Sequence, residues 1–511
     1  MLARTLLTRT PAGVAVPAVS YGRLLALWLV VRTVVWLLTL VTIHPNAPLD
    51  VIELLGWGNA WAAGYAKHPP LPCWTAAAFG RLSPGDVWGV YVAGYLASAC
   101  CLWAAWSVGG QYLSPRLAFL AAVSLDGLLY LTIDAAEWNN NVALNVGWAL
   151  TVAFGAKAVR TGSTGWWVAT GFAAAVAVLS KYTAAFLFAP LLAYLVLSPR
   201  GRVHLRRPGP YLAAVVALGL FAPHAVWVIE HDFITLKFVA GRIAESRGAI
   251  RHLTNPLAFV AFQAAVITPI VFILYPLLRR TRTAPAEGDA DRWFLRAAVL
   301  APFGLFVLYG VITGCQLRDI WGATFWTFLG VWLLAEFGRT GDDAAAARAT
   351  RRWAWVAAAV LVVFVAKIVG EPYLAKKGTR PTFPGKPLAA EVGRLWAEKY
   401  DRPFGVVAGE GWLAGNVACY SRHRPTLYTN WDIGYIAFDE AHSPWTGDAD
   451  VNARGGVIVW FADLYGEDVP AVIRERFPRV VSQPPVVLPY QTGAKVAPVR
   501  VGLAFVPPAG E

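Results

Sequence analysis

The sequence predicts a polytopic α-helical membrane protein that carries a soluble α/β domain at its C-terminal end. Of its 511 residues, 57% are hydrophobic and 15% are charged, whereas soluble globular chains are typically about 45–50% apolar and about 25% charged. Apolar runs of roughly 20 residues, the length that spans a bilayer, recur along the chain as far as residue 370. The 24 Trp residues and the lack of an internal repeat exclude disorder, collagen and coiled coil.

Eleven apolar runs are candidate spans: 22–43, 86–107, 115–133, 142–158, 166–181, 182–198, 210–229, 255–278, 294–314, 320–337 and 353–370. The fifth and sixth share a polar turn at Lys181, and they form either a hairpin of two short spans or one broken helix. With the N-terminus inside, nineteen Lys and Arg residues lie in the inner loops and eight in the outer loops. Inner loops are typically enriched in these residues. Because merging the two spans would spoil this asymmetry, the hairpin is favoured.

Residues 371–511 are predicted to form a small α/β domain outside the membrane, behind a membrane region of residues 1–370. This tail holds 15 basic and 15 acidic residues, so the net charge of +13 lies entirely in the membrane region. There the basic residues lie between apolar runs, which is typical of membrane topology and not of a nucleic-acid surface. Periodicity predicts tail helices at 386–400, 413–421 and 468–477, and strands at 404–408, 456–461 and 499–506. Scattered Cys residues and the lack of a Gly-rich phosphate loop predict neither disulfides nor a nucleotide site.

The predicted outer loop at 44–85, called loop one below, concentrates polar residues. Asp50 and Glu53 are three residues apart and share one face if the segment is helical. Lys67 and His68 precede two prolines, which start a helix well but cannot lie inside one, so both side chains should be fixed at a helix entrance. An acid near two bases at the mouth of a bundle suits deprotonation of a hydroxyl with release of a phosphate. The alternative is a solvated loop in which Asp50 only caps a helix.

Three further outer loops supply candidates. Asp134, Glu137 and Asn140 lie together in the second loop, and ionisable residues at membrane depth are functional candidates by default; Asp134 could instead cap the next helix. His231 lies beside two acids in the third loop, without a metal-ligand spacing, so no metal site is predicted and an interfacial cluster is the alternative. In the fourth loop Arg318 begins a span and could clamp a phosphate or pair with the acid that follows it.

These motifs resemble the bacterial branch of the protein O-mannosyltransferase family, which includes aminoarabinose transferases acting on lipid A and galacturonic acid transferases of rhizobial lipopolysaccharide. Members commonly read D-E-A-x-Y and then G-Y-x-x-K-P-P-L. The matching residues here are Asp50 and the block Gly64-Tyr65-Ala66-Lys67-His68-Pro69-Pro70-Leu71. The resemblance continues through 179–183 and 223–233 and covers most of the membrane region.

The charge asymmetry of the loops predicts a cytoplasmic N-terminus and a periplasmic or extracellular tail. The resemblance implies a GT-C fold glycosyltransferase of the bacterial inner membrane. Such enzymes move a sugar from a polyprenyl-phosphate donor to an acceptor on the outer face, usually with inversion. Asp50 matches the proposed general base, and Lys67 or His68 would meet the donor phosphate together with Arg318. The Glu that usually follows the Asp is Val51 here, which leaves open whether Glu53 substitutes for it and whether a divalent metal takes part. No other cofactor is expected, because the donor carries its own activation.

The remaining candidate residues concern the substrates, of which the acceptor is an envelope lipid, lipopolysaccharide, polysaccharide or protein. Glu53, Asp134, Glu137, Asn140 and His231 are candidates for substrate binding. Three tail residues, Trp412, Trp431 and Trp445, could stack on a glycan or could simply be core.

A transporter or flippase of polyprenyl lipids or sugars is the main alternative, and a non-catalytic scaffold is a third. A transporter typically has paired ionisable residues near the middle of its spans. Here few ionisable residues lie well inside spans, namely Arg32, Asp126 and Lys367, and the candidates crowd the outer ends. This distribution favours chemistry at the surface over translocation.

Overall fold

The computed structural model describes residues 20–244, 248–278, 292–338, 342–374, 376–430, 438–491 and 496–510, and the predicted Trp431 lies outside them. The described part of the membrane region is built of helices joined by turns and irregular segments. Its helices are α1 Tyr21–Ile43, α2 Leu49–Gly58, α3 Leu71–Gly80, α4 Trp88–Gly109, α5 Pro115–Val123, α6 Asn140–Thr161, α7 Thr164–Ser180, α8 Ala185–Leu197, α9 Pro199–Leu205, α10 Gly209–Glu230, α11 Ile234–Ala244, α12 Arg251–Leu274, α13 Arg292–Thr313, α14 Leu329–Phe337 and α15 Asp343–Leu374.

Seven helices of the described chain are long and apolar enough to cross a membrane, and the number rises to nine if each of two bent pairs is one span. The bent pairs are Pro115–Gly127 with Leu129–Ala136, at 90°, and Tyr182–Leu197 with Pro199–Leu205, at 93°. The eleven predicted runs therefore include segments that do not form full-length straight helices. The fifth run is a 17-residue helix, α7, and the tenth contains only the nine residues of α14 after irregular turns.

Sequence hydropathy overcounts spans here because it measures apolar composition and not backbone continuity. Residues 320–337 are apolar, yet a short 3₁₀ turn at Asp319–Gly322 and further turns occupy the first half of the run. Where hydropathy and backbone agree, local signals explain the helix ends. The side chain of Asn139 accepts from the amides of Asn141 and Val142 at the start of α6, and Gly162 ends α6 at φ 67°.

The C-terminal part contains α16 Gly385–Ala397, α17 Gly411–Tyr420, α18 Asp448–Arg454, α19 Ala462–Tyr465 and α20 Ala471–Arg476 around a five-stranded sheet. The strands are β1 Val406–Gly409, β2 Thr426–Tyr428, β3 Gly456–Phe461, β4 Val481–Leu488 and β5 Val499–Val506, in the order β2-β1-β3-β5-β4. β2, β1 and β3 are parallel, and β5 pairs antiparallel with β3 and β4. The preceding helix α15 runs to Leu374, past the predicted boundary at residue 370.

Two strands escape sequence prediction for identifiable reasons. β2 has only three residues. β4 contains Pro484 and Pro485, which argue against a strand because proline cannot donate to the ladder. The structure accommodates them because β4 lies at the edge of the sheet and its register shifts between Gln483 and Val486.

The α/β part packs directly on loop one through α17, the following turn and β2. Val51 and Leu55 of α2 share one buried hydrophobic cluster with Val417 and Leu427. Tyr420 Oη accepts a hydrogen bond from the Ala47 amide at 3.0 Å. One guanidinium nitrogen of Arg424 donates to the carbonyls of Gly80, Ser83 and Asp86 at 3.0, 3.0 and 2.7 Å. Loop one is therefore held between the membrane helices and the sheet domain.

Candidate active site

Asp50 is the second residue of α2, in the first turn after the N-cap Pro48. An acidic residue is favourable there because the helix dipole is positive at its N-terminus. Burial raises the pKa of the Asp50 carboxyl, and the charges of Lys67 and Arg380 partly offset that rise. The side chain of Asn139, through a hydrogen bond, and the charge of Lys181 also lower the pKa of Asp50. Loop one, the second loop, the turn after α7 and the linker after α15 therefore meet at this carboxyl group.

Glu137 is the second carboxylate beside Asp50. It accepts a hydrogen bond from the Asp50 backbone amide, so it caps the start of α2 from the second loop. Burial, followed by the charge of Asp50, raises the pKa of Glu137 to about 7. Two carboxyl groups this close disfavour simultaneous ionisation. Asp134 lies just beyond this pair and faces Lys367 of α15.

Lys67 is held at the loop by aromatic rings and by Glu53. Its Nζ lies 3.4 Å from Glu53 Oε2, 5.7 Å from the centre of the Trp57 ring and 5.9 Å from that of Phe238. Glu53 is buried in α2 and faces Lys67. The sequence left open whether Glu53 replaces the family Glu whose position Val51 occupies. In the structure the carboxylate beside Asp50 is that of Glu137.

His68 is a neutral hydrogen-bonding group at this site. Burial, with the charges of Lys67 and Lys181, lowers the pKa of His68 to about 3. Its Nδ1 lies 3.1 Å from the Asn140 side-chain amide nitrogen, which donates to it. This assigns the proton to Nε2, so His68 can donate one hydrogen bond at neutral pH but carries no positive charge.

Lys181 is a site residue that the sequence marks only as a polar turn between two apolar runs, within the segment 179–183 of the family resemblance. It caps the end of α7, its Nζ donates to Asn141 Oδ1 at 2.6 Å, and it lies 5.0 Å from the centre of the Trp321 ring. The charge of Arg318 acts on Lys181. Arg318 itself is exposed and forms no ion pair within the described part of the chain, so the predicted alternative of a pair with Asp319 is not what the structure shows.

Arg380 was missed altogether. It lies in the linker between α15 and α16, where its carbonyl accepts from the Asn46 side chain at 3.1 Å and its guanidinium lies 5.9 Å from the centre of the Trp412 ring. No motif marks it, because its relation to Asp50 arises only when the tail packs on loop one. The Asn46 contact is the geometric link between the two segments.

His231 is not gathered at Asp50. Its ring stacks on Trp227 with centroids 4.2 Å apart, and Nδ1 donates to the Trp227 carbonyl at 2.8 Å. Trp227 in turn fills the space beside Gly64, where an added Cβ would lie 2.1 Å from its ring. The third loop therefore supports loop one through packing, together with His224, whose Nδ1 donates to the Ala63 carbonyl at 2.8 Å.

Aromatic rings line loop one beside the charged residues. Trp57 and Tyr65 stack at 5.9 Å with an interplanar angle of 2°, and Trp445 of the tail meets both edge-on at 5.7 and 5.0 Å. Across the described ranges, no three His, Cys, Asp or Glu side chains are grouped so that they could hold a metal ion. The site thus combines a pair of carboxyl groups, two lysines and aromatic rings that form an apolar wall.

Known proteins with related sequences or folds indicate the class of protein to which this chain is similar. Residues 67–227 match the family model described as dolichyl-phosphate-mannose-protein mannosyltransferase. Lipopolysaccharide core galacturonosyltransferase RgtA of Rhizobium johnstonii is 27% identical over 360 residues, which cover 66% of this chain and 68% of RgtA. RgtB of the same organism is 23% identical over 400 residues, covering 74% and 77% of the two chains. The crystal structure of ArnT from Cupriavidus metallidurans bound to undecaprenyl phosphate superposes with a TM-score of 0.59 at 15% identity, covering 95% of this chain and 98% of ArnT.

The fold and these matches define the class: the chain is a multi-pass membrane glycosyltransferase with the GT-C fold. The sequence prediction of fold class and enzyme type is thereby confirmed. Within that class its sequence is similar to the bacterial protein O-mannosyltransferase and aminoarabinose transferase-like family, over residues 67–227 for the family model and over 66% of the chain for RgtA. The roles of its individual residues remain predictions.

Proposed function

We propose that the chain transfers a sugar from a polyprenyl-phosphate donor to an acceptor of the bacterial envelope, on the outer face of the inner membrane. The observation that carries the proposal is the meeting of Asp50 with Lys67 and Lys181 beside an apolar, aromatic wall. Two relatives support the acceptor class, since both RgtA and RgtB are named as transferases of the lipopolysaccharide core. ArnT supports the donor class, since its structure holds undecaprenyl phosphate.

Asp50 acts as the general base in this proposal. The acceptor hydroxyl attacks the anomeric carbon, Asp50 takes its proton, and the bond from that carbon to the phosphate oxygen breaks with inversion. A positioned base contributes about 10²–10⁴-fold to such a step. The polyprenyl phosphate leaves with the negative charge, which Lys67 and Lys181 stabilise. His68 donates a neutral hydrogen bond, and Arg318 adds a cation near the same phosphate.

The ionisable residues inside the spans support an enzyme over a transporter. Arg32 and Asp126 are both buried, and Arg32 Nε donates to Asp126 Oδ1 at 2.6 Å. Two indole nitrogens, of Trp28 and Trp353, also donate to Asp126, each at 2.8 Å. Through Asp126 these bonds hold α1 and α15 together, as a structural pair does. The positive-inside asymmetry supports an outer position for loop one and the tail.

Mass spectrometry of envelope lipids and glycans tests the proposal. Cells that lack the chain are complemented with the wild type, Asp50→Asn or a control, Asp463→Asn, whose side chain is 59% exposed in the tail. We expect one sugar mass to be absent without the chain, and to be restored by the wild type and by Asp463→Asn but not by Asp50→Asn. Purified Asp50→Asn should still bind undecaprenyl phosphate. Full restoration by Asp50→Asn would refute the role of the base, and an unchanged envelope profile in cells without the chain would contradict the proposed transfer.

A further inference from the structure

A second concave site lies where the tail meets loop one, away from the Asp50 cluster. This groove has a volume of about 740 Å³ and runs between Pro84-Gly85 of loop one, helix α16, the segment 400–404 and the segment 420–423 that ends α17. Its volume is within the range of about 300–1,000 Å³ that is typical of ligand sites. The reaction proposed above assigns nothing to it.

The floor of the groove is apolar and open to a flat ligand. Small residues of α16 line it: Ala390 and Ala397 are exposed, Gly393 is half-buried and Ala389 is buried. Tyr400 is half-buried, and its ring packs on the buried Trp396 with centroids 4.4 Å apart. An aromatic ring fixed from below and open from above suits the apolar face of a pyranose ring.

The rim of the groove is cationic. Lys386, Arg402 and Arg422 line it against one carboxylate, that of Asp401, and all four are exposed. Lys386 is paired with Asp86, and Arg402 donates to the Ala509 carbonyl at 2.9 Å. Within the described ranges the Arg422 side chain has neither a hydrogen-bond nor an ion-pair partner. Such a guanidinium is suited to bind a carboxylate or phosphate in a bidentate manner.

One residue connects the groove to the reaction site. The ring of Tyr420 lines the groove, and its hydroxyl accepts from the amide of Ala47, three residues before Asp50 in the chain. A ligand in the groove therefore lies against the segment that leads into α2. This is a suitable place to hold the part of an acceptor that is not reacting.

We propose that this groove binds the acceptor as an anionic saccharide chain, with sugar rings over Tyr400 and a carboxylate or phosphate at Arg422. The inference rests on the proposed function, because it supplies the acceptor that Asp50 deprotonates. Charge complementarity and the aromatic floor together favour a sugar chain over a simple phosphate, which would need only the cations.

Binding to the purified full-length protein tests the groove without any turnover. The probes are a β-1,4-linked mannuronate trimer, which is anionic, and β-1,4-mannotriose, its neutral counterpart. We expect the mannuronate trimer to bind at least tenfold more tightly than mannotriose, and its affinity to fall at high salt because exposed charges are screened. Arg422→Glu and Ala390→Trp, which fills the groove, should each weaken binding of the mannuronate trimer at least tenfold.

The matched control is Lys399→Glu, the same change of charge beside Tyr400 at an exposed position that does not line the groove. It should bind the mannuronate trimer like the wild type. Equal affinity of the wild type, Arg422→Glu and Ala390→Trp, or equal binding of the neutral and anionic trimers, would overturn the inference. If inorganic phosphate competes as strongly as the mannuronate trimer, the saccharide assignment is wrong. If the protein transfers a sugar but does not bind the mannuronate trimer in the groove, this inference alone is refuted. If the purified protein binds the trimer there but the envelope profile of the cells does not depend on the chain, the proposed transfer alone is refuted.

Discussion

The carboxylate of Glu137 accepts a hydrogen bond from the backbone amide of Asp50. This bond joins the second loop to the first turn of α2 and places two carboxyl groups side by side. Its energetic consequence depends on pH, because the pKa of Glu137 is raised from 4.5 to about 7 by burial and by the charge of Asp50. The folded protein then holds a proton that the unfolded chain releases at lower pH.

Glu137→Gln should flatten the dependence of thermal stability on pH. Between about pH 4.5 and 7 the folded wild type binds more protons at this position than the unfolded chain does, so its stability falls as pH rises through that window. Gln keeps an acceptor for the Asp50 amide but cannot ionise. The melting temperature in detergent between pH 5 and 8 measures the effect, with the exposed Glu467→Gln as control. Parallel profiles for wild type and Glu137→Gln would contradict the assignment.

Arg380→Met should move the acid limb of the pH–rate profile of transfer to higher pH. The guanidinium lowers the pKa of Asp50 and of Glu137, so its removal favours the protonated acids and leaves less ionised base at a given pH. We expect a shift of about 1 pKa unit. Arg348→Met, an exposed position on α15, serves as the control. An unshifted limb would show that the tail residue does not act on the base.

Substitutions of His68 should separate its hydrogen bond from a positive charge. His68 is neutral because its pKa lies at about 3, so His68→Gln, which keeps a donor, should retain activity within about tenfold of wild type. His68→Ala should lose about 10²-fold, the size of effect seen when one such donor is removed. Steady-state transfer rates at pH 7.5 distinguish the two. Higher activity of His68→Lys than of the wild type would instead show that a cation is needed there.

Gly64→Ala should misplace the loop that carries Lys67 and His68. The new Cβ would lie 2.1 Å from the ring of Trp227, so one of the two segments must move, and displacements of about 1 Å can cost about 10²-fold in rate. Gly219→Ala is the matched control on α10, because nothing lies within 4 Å of its Cβ position. Circular dichroism checks that both variants fold. Wild-type activity in Gly64→Ala would show that this contact does not position the site.

The buried pair Arg32–Asp126 should show strong coupling in a double-mutant cycle. Their side chains are 1% and 3% exposed, and leaving either charge without its partner costs about 3–5 kcal/mol. The double variant Arg32→Met with Asp126→Asn should therefore be less destabilised than the sum of its single variants. The exposed pair Arg116–Asp343 provides the control, where we expect about 0–1 kcal/mol. Additive losses in melting temperature at the buried pair would contradict the coupling.

The local part of the site was accessible from sequence, and the part made by tertiary packing was not. Lys67 and His68 stood out because two prolines fix a helix entrance directly after them. Glu137 and Asn140 stood out as polar residues at the end of a span. Which residues of different loops contact one another could not be predicted from such local signals. Helical spacing left open whether Glu53 is the second acid, and in the structure Glu53 faces Lys67. Arg380 reaches Asp50 only through a domain contact.

The fold shows the same division. The class was predictable because apolar composition depends on the chain alone, whereas the number of continuous spans depends on where the backbone bends. The 90° break between Pro115–Gly127 and Leu129–Ala136 lies inside the predicted apolar run 115–133, so hydropathy does not register it. Likewise β4 was hidden by its two prolines, which only an edge position and a register shift make tolerable.

The bonds from Arg424 to loop one and to Asp86 directly after it, together with the Tyr420 bond to Ala47, have a consequence for how such enzymes diversify. The sheet domain is not an independent appendage of the last membrane helix, because it packs against the segment that carries Asp50 and contributes charged residues to it. A chimera that joins the membrane helices of one relative to the tail of another must therefore also exchange residues 44–86, or the two surfaces will not match. Evolution of a new acceptor preference is expected to change these two distant stretches of sequence together.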